Sequence, residues 1–446
     1  MAQKKVARRT RRLGCESLEA RAMLATCAFE HPTPSVSPVV PTHAEVAEAS
    51  FVDPTAQLTG TENITMSCKS YVAPFASLSA RRGGSIKIGE GANVQDNVTI
   101  DATSGRVEIG NHAIVAHNAW IRSVGSLPAR IGSLSDTAKP SFVGFNADVS
   151  GATIEEDTMV LHLAKVAPGI TLHSGMKVLP GKAVWTQRQA DDPRLGKVAP
   201  LTQADRDFMH GVLEVNEAFA AEYTDMYYGA DGPGGVEHPE LVNGIASNPS
   251  TSFNPVSNLP DLAQGGSNPQ NNVNNGAFRN RVIGNVSLAQ DLATLDRVME
   301  SRISIRADEG DDSQSFRIGT IKRMLTSVTM HALEHTGIVV GDNVWYGYHS
   351  LIHGGEDTFN YPTDTTQIGN NVVIGDYAVV FRSTIGNGIT IGAKTLIDGS
   401  QLLVVGKHIY ADYNGDGIAD KKLISGTVIP ANTVIINNEI VGRVEW

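Results

Sequence analysis

The chain has 446 residues, enough for two or three domains with sizeable cores. Its net charge of −11 gives no basic footprint for nucleic acid, and no apolar run approaches the ~20 residues needed to span a bilayer. Abundant Gly, with aromatics at only 6%, favours a turn-rich β protein over a helical one.

The chain opens on a basic segment, residues 1–30, with Lys4, Lys5, Arg8, Arg9, Arg11, Arg12 and Arg21 ahead of a short apolar patch, Ala22-Met23-Leu24-Ala25. A basic stretch before an apolar one is the pattern of an export signal, although the apolar part is short. The string from Arg12 to Leu24 resembles the Leu-Glu-x-Arg-x-x-Leu leader of some exported bacterial proteins. The expectation is therefore an exported or surface-associated protein; a cytoplasmic one with a disordered basic tail is the alternative. The three cysteines, Cys15, Cys27 and Cys68, make neither a disulfide scaffold nor a cysteine zinc site. Cys68 reads as a small core residue.

From about residue 50 an aliphatic side chain recurs every six residues. The phases run Ile88, Val94, Ile100; Ile109, Val115, Ile121; Val143, Val149; then Ile154 through Val184. They resume as Ile318, Met324, Met330; Val340, Tyr346, Ile352; Ile368, Ile374, Val380; Ile385, Ile391, Ile397; and Val428, Val434, Ile440. Six fits neither an amphipathic helix nor a simple alternating strand. It fits a hexapeptide solenoid, in which three short strands make one triangular coil. Gly or Asn takes the corners, where a positive φ is easy. The prediction is an all-β chain of two tandem β-helix domains, residues 50–228 and 280–446. Between them the period breaks. Leu201–Tyr228 reads as a helix closing the first domain, capped by Thr202 with Asp205 three residues on, and with Phe208, Val212, Val215, Phe219 and Tyr223 on one face. Residues 229–279, rich in Asn, Pro, Gly and Ser, read as a linker.

Late in the second domain, Asp412-Tyr413-Asn414-Gly415-Asp416-Gly417-Ile418-Ala419-Asp420 places oxygen-bearing side chains at positions 1, 3, 5 and 9, with Gly at 6. Asp412, Asn414, Asp416 and Asp420 so spaced suit a calcium loop. Leu423 at position 12 excludes a full EF-hand. The bland reading of 412–420 is an Asx-rich turn.

Several segments resemble gamma-class carbonic anhydrases. Ser304-Ile305-Arg306-Ala307-Asp308-Glu309-Gly310 matches that family's Ser-Ile-Arg-Ser-Asp-Glu-Gly with one change. His331-Ala332-Leu333-Glu334 resembles its segment with a zinc histidine and a proton-shuttle glutamate. Asn93-Val94-Gln95-Asp96 matches its Asn-Val-Gln-Asp. Ile109–Ser123 and Val340–Gly354 both resemble its metal hairpin, and the resemblance covers both solenoids. It implies a left-handed β-helix and a metal held where two prisms meet, two histidines coming from one prism and one from the next. His331 and His353 stand at the first two positions, where the N-terminal half has Asp101 and Arg122. His117 stands at the third, where the C-terminal half has Tyr348, with His349 one residue out of register. Arg306, Asp308, Glu309 and Glu334 belong to one half; Gln95, Asp96 and Asn216, on the closing helix, belong to the other. Random decay would not be expected to sort losses so cleanly.

The resemblance implies reversible hydration of carbon dioxide to bicarbonate at one centre completed by both domains. Zinc, iron or cobalt would sit on three neutral imidazoles with one position open. Glu309 and Glu334 would move the proton and Gln95 and Asn216 would orient substrate. Arg306 would pair with Asp96 or Asp308. A homo-oligomer is expected, because the family assembles three prisms. The alternatives are a non-catalytic exported β-helix with a binding or structural role, and a hexapeptide acyltransferase, for which no acyl-carrier motif is visible.

Overall fold

The computed structural model describes residues 50–228 and 280–446, apart from positions 54, 104, 285, 308–315, 334–335 and 356–364. The basic leader, the linker, and Asp308, Glu309 and Glu334 therefore lie outside the described residues.

The six-residue period becomes three stacked ladders in each half. In the first half, Val72, Val94, Val115, Val143, Val160 and Val178 pair in register along one parallel sheet. Leu78, Ile100, Ile121, Val149, Val166 and Val184 climb the second. Met66, Ile88, Ile109, Ile131, Ile154 and Leu172 climb the third. Neighbours within a sheet are third strands along the chain, so the sheets are the faces of a left-handed triangular prism. The second half repeats this, with Ile305, Met330, Ile352, Val380, Ile397 and Ile435 on one face. Each fully buried rung contributes about 1.5–3 kcal/mol. Asn97, Asn118 and Asn146 turn successive corners of the first prism with φ of 57°, 61° and 53°. Asn tolerates this left-handed conformation better than most residues.

The last phase of the period departs from expectation. Val428 and Ile440 are exposed, and the rungs are Ile429 and Ile435. An antiparallel meander, Gln401–Val405, His408–Ala411 and Lys421–Ser425, interrupts the coil just before them. The count of six does not survive it, and a slip of one residue turns a side chain to the opposite face.

The helix Gln203–Tyr228 forms with the expected cap: Thr202 Oγ1 accepts from Asp205 N at 3.2 Å, and Asp205 Oδ2 accepts from Thr202 N at 2.6 Å. Its buried side chains include Met209, Val212, Leu213, Asn216, Phe219 and Ala220, so the apolar face is broader than predicted. Cys68 also differs from expectation. It is half-buried in a turn and disulfide-bonded, so it is not a free core thiol.

The two prisms pack side by side on an apolar seam. Ile114, Phe142, Phe145 and Met159 of the first meet Leu351, Val379, Phe381 and Leu396 of the second. Corner amides stitch the seam: Asn97 Nδ2 donates to Thr329 Oγ1 at 3.1 Å, and Asn118 and Asn146 donate to the His349 carbonyl at 3.3 and 3.2 Å. Buried Arg281 reaches Asp53 across the same boundary at 3.0 Å.

Candidate metal centre

Two columns of side chains face each other across the seam. In the second prism, parallel pairing stacks Arg306, His331, His353 and Phe381 on adjacent strands. In the first, Asp96, His117, Phe145 and His162 each stand immediately before a left-handed corner residue on successive coils. Solenoid stacking sets the spacing within each column, so docking the prisms brings the columns together rung by rung.

On the lowest rung Asp96 meets Arg306 and Ser304. Arg306 donates through Nε and Nη2 to the two carboxylate oxygens, at 3.1 and 2.9 Å, and Ser304 Oγ donates at 2.5 Å. Both charges are buried. Burial alone would raise the Asp96 pKa, but Arg306 and the His117 hydrogen bond hold it far below the usual carboxylate range.

One rung up, His117 Nε2 lies 3.2 Å from His331 Nδ1, which lies 3.3 Å from His353 Nε2. All three histidines are buried. Their outer nitrogens set the tautomers. His117 Nδ1 sits 3.1 Å from Asp96, and His353 Nδ1 donates to the Gly354 carbonyl at 2.5 Å. With protons on those outer nitrogens, His117 Nε2 and His353 Nε2 both bring lone pairs toward His331 Nδ1. A single N–H there can satisfy only one of them, whereas a cation at the centre satisfies all three. The donor set therefore fits a transition metal, and among the described residues this is the one group of three or more such ligands that converges.

The same burial favours the neutral imidazole at His117 and His353. It lowers the His117 pKa to about 4, partly offset by Asp96, and lowers that of His353 well below normal, with His331 and His117 adding to the effect. His162 is likewise pushed down to about 4 by burial. Its ring stacks on Phe145 at 4.2 Å, and Phe145 stacks in turn on His353 at 4.9 Å. The unfolded value is 6.5, so between pH 6.5 and 4 the unfolded chain binds more protons than the folded one. The metal-free protein is expected to lose stability as pH falls through that window, and His162→Gln to make the loss shallower. Urea midpoints from pH 7 to 4 check this; equal slopes for both proteins would contradict it.

The other candidate residues fall as follows. Gln95 is buried beside His117, and its Oε1 accepts from the His117 main-chain N–H at 3.2 Å, leaving its amide nitrogen as the group to offer a ligand. Asn216 is buried, and its Nδ2 has no hydrogen-bond partner among the described residues. It lies one helical turn before Phe219, whose ring is 6.2 Å from His331 and 5.3 Å from the Arg306 guanidinium. His349 takes a left-handed corner and stacks on Tyr377, and Tyr348 is exposed; neither joins the triad. In the 412–420 loop, buried Asp412 accepts from the backbone N–H groups of Gly415 and Gly417, and Asp416 accepts from Ile418. Asp420 accepts from Tyr413 N. The loop is thus folded around its own carboxylates. Phe145 and His162 were not anticipated. Their signal is the repeated placement of one ring or acid just before each corner: Asp96-Asn97, His117-Asn118, Phe145-Asn146 and His162-Leu163.

No family model matches the chain. It is 31% identical over 183 residues to the carboxysome assembly protein CcmM of Nostoc sp., covering 40% of this chain and 31% of that protein. It is 27% identical over 181 residues to a carbonic anhydrase of Methanosarcina thermophila, covering 36% of this chain and 65% of the enzyme. The chain thus spans less than two thirds of the length of either relative. Among solved structures, a hexapeptide transferase family protein of Anaplasma phagocytophilum overlaps 39% of this chain and 91% of its own, at 20% identity and a TM-score of 0.26. That overlap is too slight to bear on function.

Proposed function

We propose that this chain is a metalloenzyme that hydrates carbon dioxide reversibly to bicarbonate, at one centre built by both of its β-helix domains. The observation that carries the reading is the convergence of His117 with His331 and His353, ordered by the buried Asp96–Arg306 pair. Similarity to a carbonic anhydrase supports the substrate class.

His117, His331 and His353 would hold zinc, iron or cobalt, which supplies the Lewis acidity that lets a water molecule ionise near pH 7. Asp96 fixes the His117 tautomer and ring angle, as an outer carboxylate does for many ligand histidines. Phe145 and Phe219 wall the site with apolar rings, which limits competing water. The amide N–H groups of Gln95 and Asn216 are the donors for an oxyanion. Glu309 and Glu334 are the proposed proton carriers, since the reaction releases a proton that must leave a buried site.

Metal-loaded full-length protein is expected to hydrate carbon dioxide in a stopped-flow pH-indicator assay. Glu334→Ala should slow turnover by about a hundredfold in weak buffer while leaving metal content unchanged, and added imidazole should restore part of it. Wild-type turnover in that variant would remove Glu334 from the proton path. Absence of hydration by the fully metal-loaded wild type would sink the carbon dioxide reading.

Export, homo-oligomerisation and calcium at Asp412, Asn414, Asp416 and Asp420 are proposals of the same kind.

A further inference from the structure

A cavity of 320 Å³ opens along the seam between the prisms. None of the three histidines lines it, although Asn118 and Asn146, the neighbours of His117 and Phe145, do. Its wall on the first prism carries Trp120, Arg122, Asp148 and Lys165; the second prism adds Tyr377, Lys394 and Trp446.

Three cationic side chains, Arg122, Lys165 and Lys394, line the cavity beside a single carboxylate side chain, Asp148. Arg122 Nη2 and Lys165 Nζ both donate to the same oxygen of buried Asp148, each at 2.7 Å. The other oxygen is taken by Ser150 Oγ at 2.5 Å. Lys394 Nζ donates to a main-chain oxygen of Trp446 at 3.1 Å. The Trp446 indole gathers both ammonium groups, with Lys394 at 4.2 Å and Lys165 at 4.8 Å from its centroid. Burial, and after it the nearby Lys165, lowers the Lys394 pKa, against the opposing pull of Asp148. In a chain of net charge −11 this is a concentrated anion-attracting site.

The remaining polar groups narrow the ligand. Asn118 Oδ1 and Asn146 Oδ1 are buried acceptors without hydrogen-bond partners among the described residues, while their amide nitrogens are spent on the seam. A ligand that meets them must carry donors as well as negative charge. Trp120, 37% exposed, offers an apolar face beside these polar groups. The volume is at the lower end of small-molecule sites and far larger than one bicarbonate requires.

We propose that this cavity binds a hydroxylated carboxylate of sugar-acid size, its carboxylate on Lys394 and Arg122, its hydroxyls on Asn118 and Asn146, and its ring against Trp120. The chemistry is that of a uronate, free or as a residue of an acidic polysaccharide. The proposal is independent of the carbon dioxide reading.

Isothermal titration of the full-length chain with glucuronate tests it, with glucose, acetate and an oligogalacturonate as companion ligands. Glucuronate is expected to bind with Kd near or below about 1 mM, and glucose and acetate at least about tenfold more weakly. Tighter binding of the oligomer than of the monomer would point to a polymer as the source, and equal binding to the free acid. Lys394→Gln should weaken glucuronate about tenfold, as should Trp120→Ala, a rim position whose loss leaves the ladders intact. Metal content and melting temperature of both variants should match wild type. No heat with either uronate up to about 20 mM would overturn the proposal. So would equal binding of glucose or acetate, or unchanged affinity in both variants.

Discussion

His117→Ala should lower metal occupancy from one ion per chain to near none and reduce carbon dioxide hydration to background. His331 and His353 lie more than 200 residues away in sequence and in the other prism. Two imidazoles without the third leave an open, poorly selective site. Removing an outer partner of a ligand histidine already weakens metal binding by about 10–100-fold, so removing the ligand itself should exceed that. His349→Ala is the matched control. It sits where the second prism would need its own third ligand, and the structure turns it into a corner against Tyr377. Normal metal content in His117→Ala would mean that the second prism builds a site without the first.

Asp96 should be the most destabilising single substitution in the seam. Its carboxylate accepts from Arg306 and Ser304 and lies beside His117, and none of the four groups reaches solvent. Asp96→Ala strands a buried guanidinium, a change that costs about 3–5 kcal/mol in comparable buried pairs. It also frees the His117 ring to turn, for a further loss of about 10–100-fold in metal affinity. The two effects separate in the double variant Asp96→Asn with Arg306→Met, because a buried ion pair replaced on both sides is often neutral in stability. Urea unfolding should then return toward wild type while metal affinity stays low. If affinity recovers together with stability, Asp96 acts only as a structural anchor.

The aliphatic ladders were legible because each hexad sends one side chain inward regardless of what the corners do. The same regularity made the last coil misleading. The meander at 401–425 adds residues that belong to no hexad, so the period points to Val428 where the rung is Ile429. The helix was legible in its cap and extent, but its apolar pattern does not report the burial of Met209 and Leu213, which widens the packed face. The metal triad was legible only as two incomplete sets. Nothing in the spacing from His117 to His331 indicates a distance; that comes from docking two prisms rung against rung. Phe145 and His162 stayed hidden for the same reason, since a ring at a solenoid corner is ordinary until a second column faces it. Cys68 reads as a core residue in sequence because one cysteine in a strand-rich segment resembles any small apolar side chain.

X-ray absorption at the metal edge, combined with metal counting on the intact chain, tests the shared centre most directly. One metal per chain, with three imidazole nitrogens at about 2.0–2.1 Å and one further oxygen neighbour, is the predicted result. Two imidazoles per ion, two metals per chain, or a spectrum unchanged by His117→Ala would contradict a centre completed across the two domains.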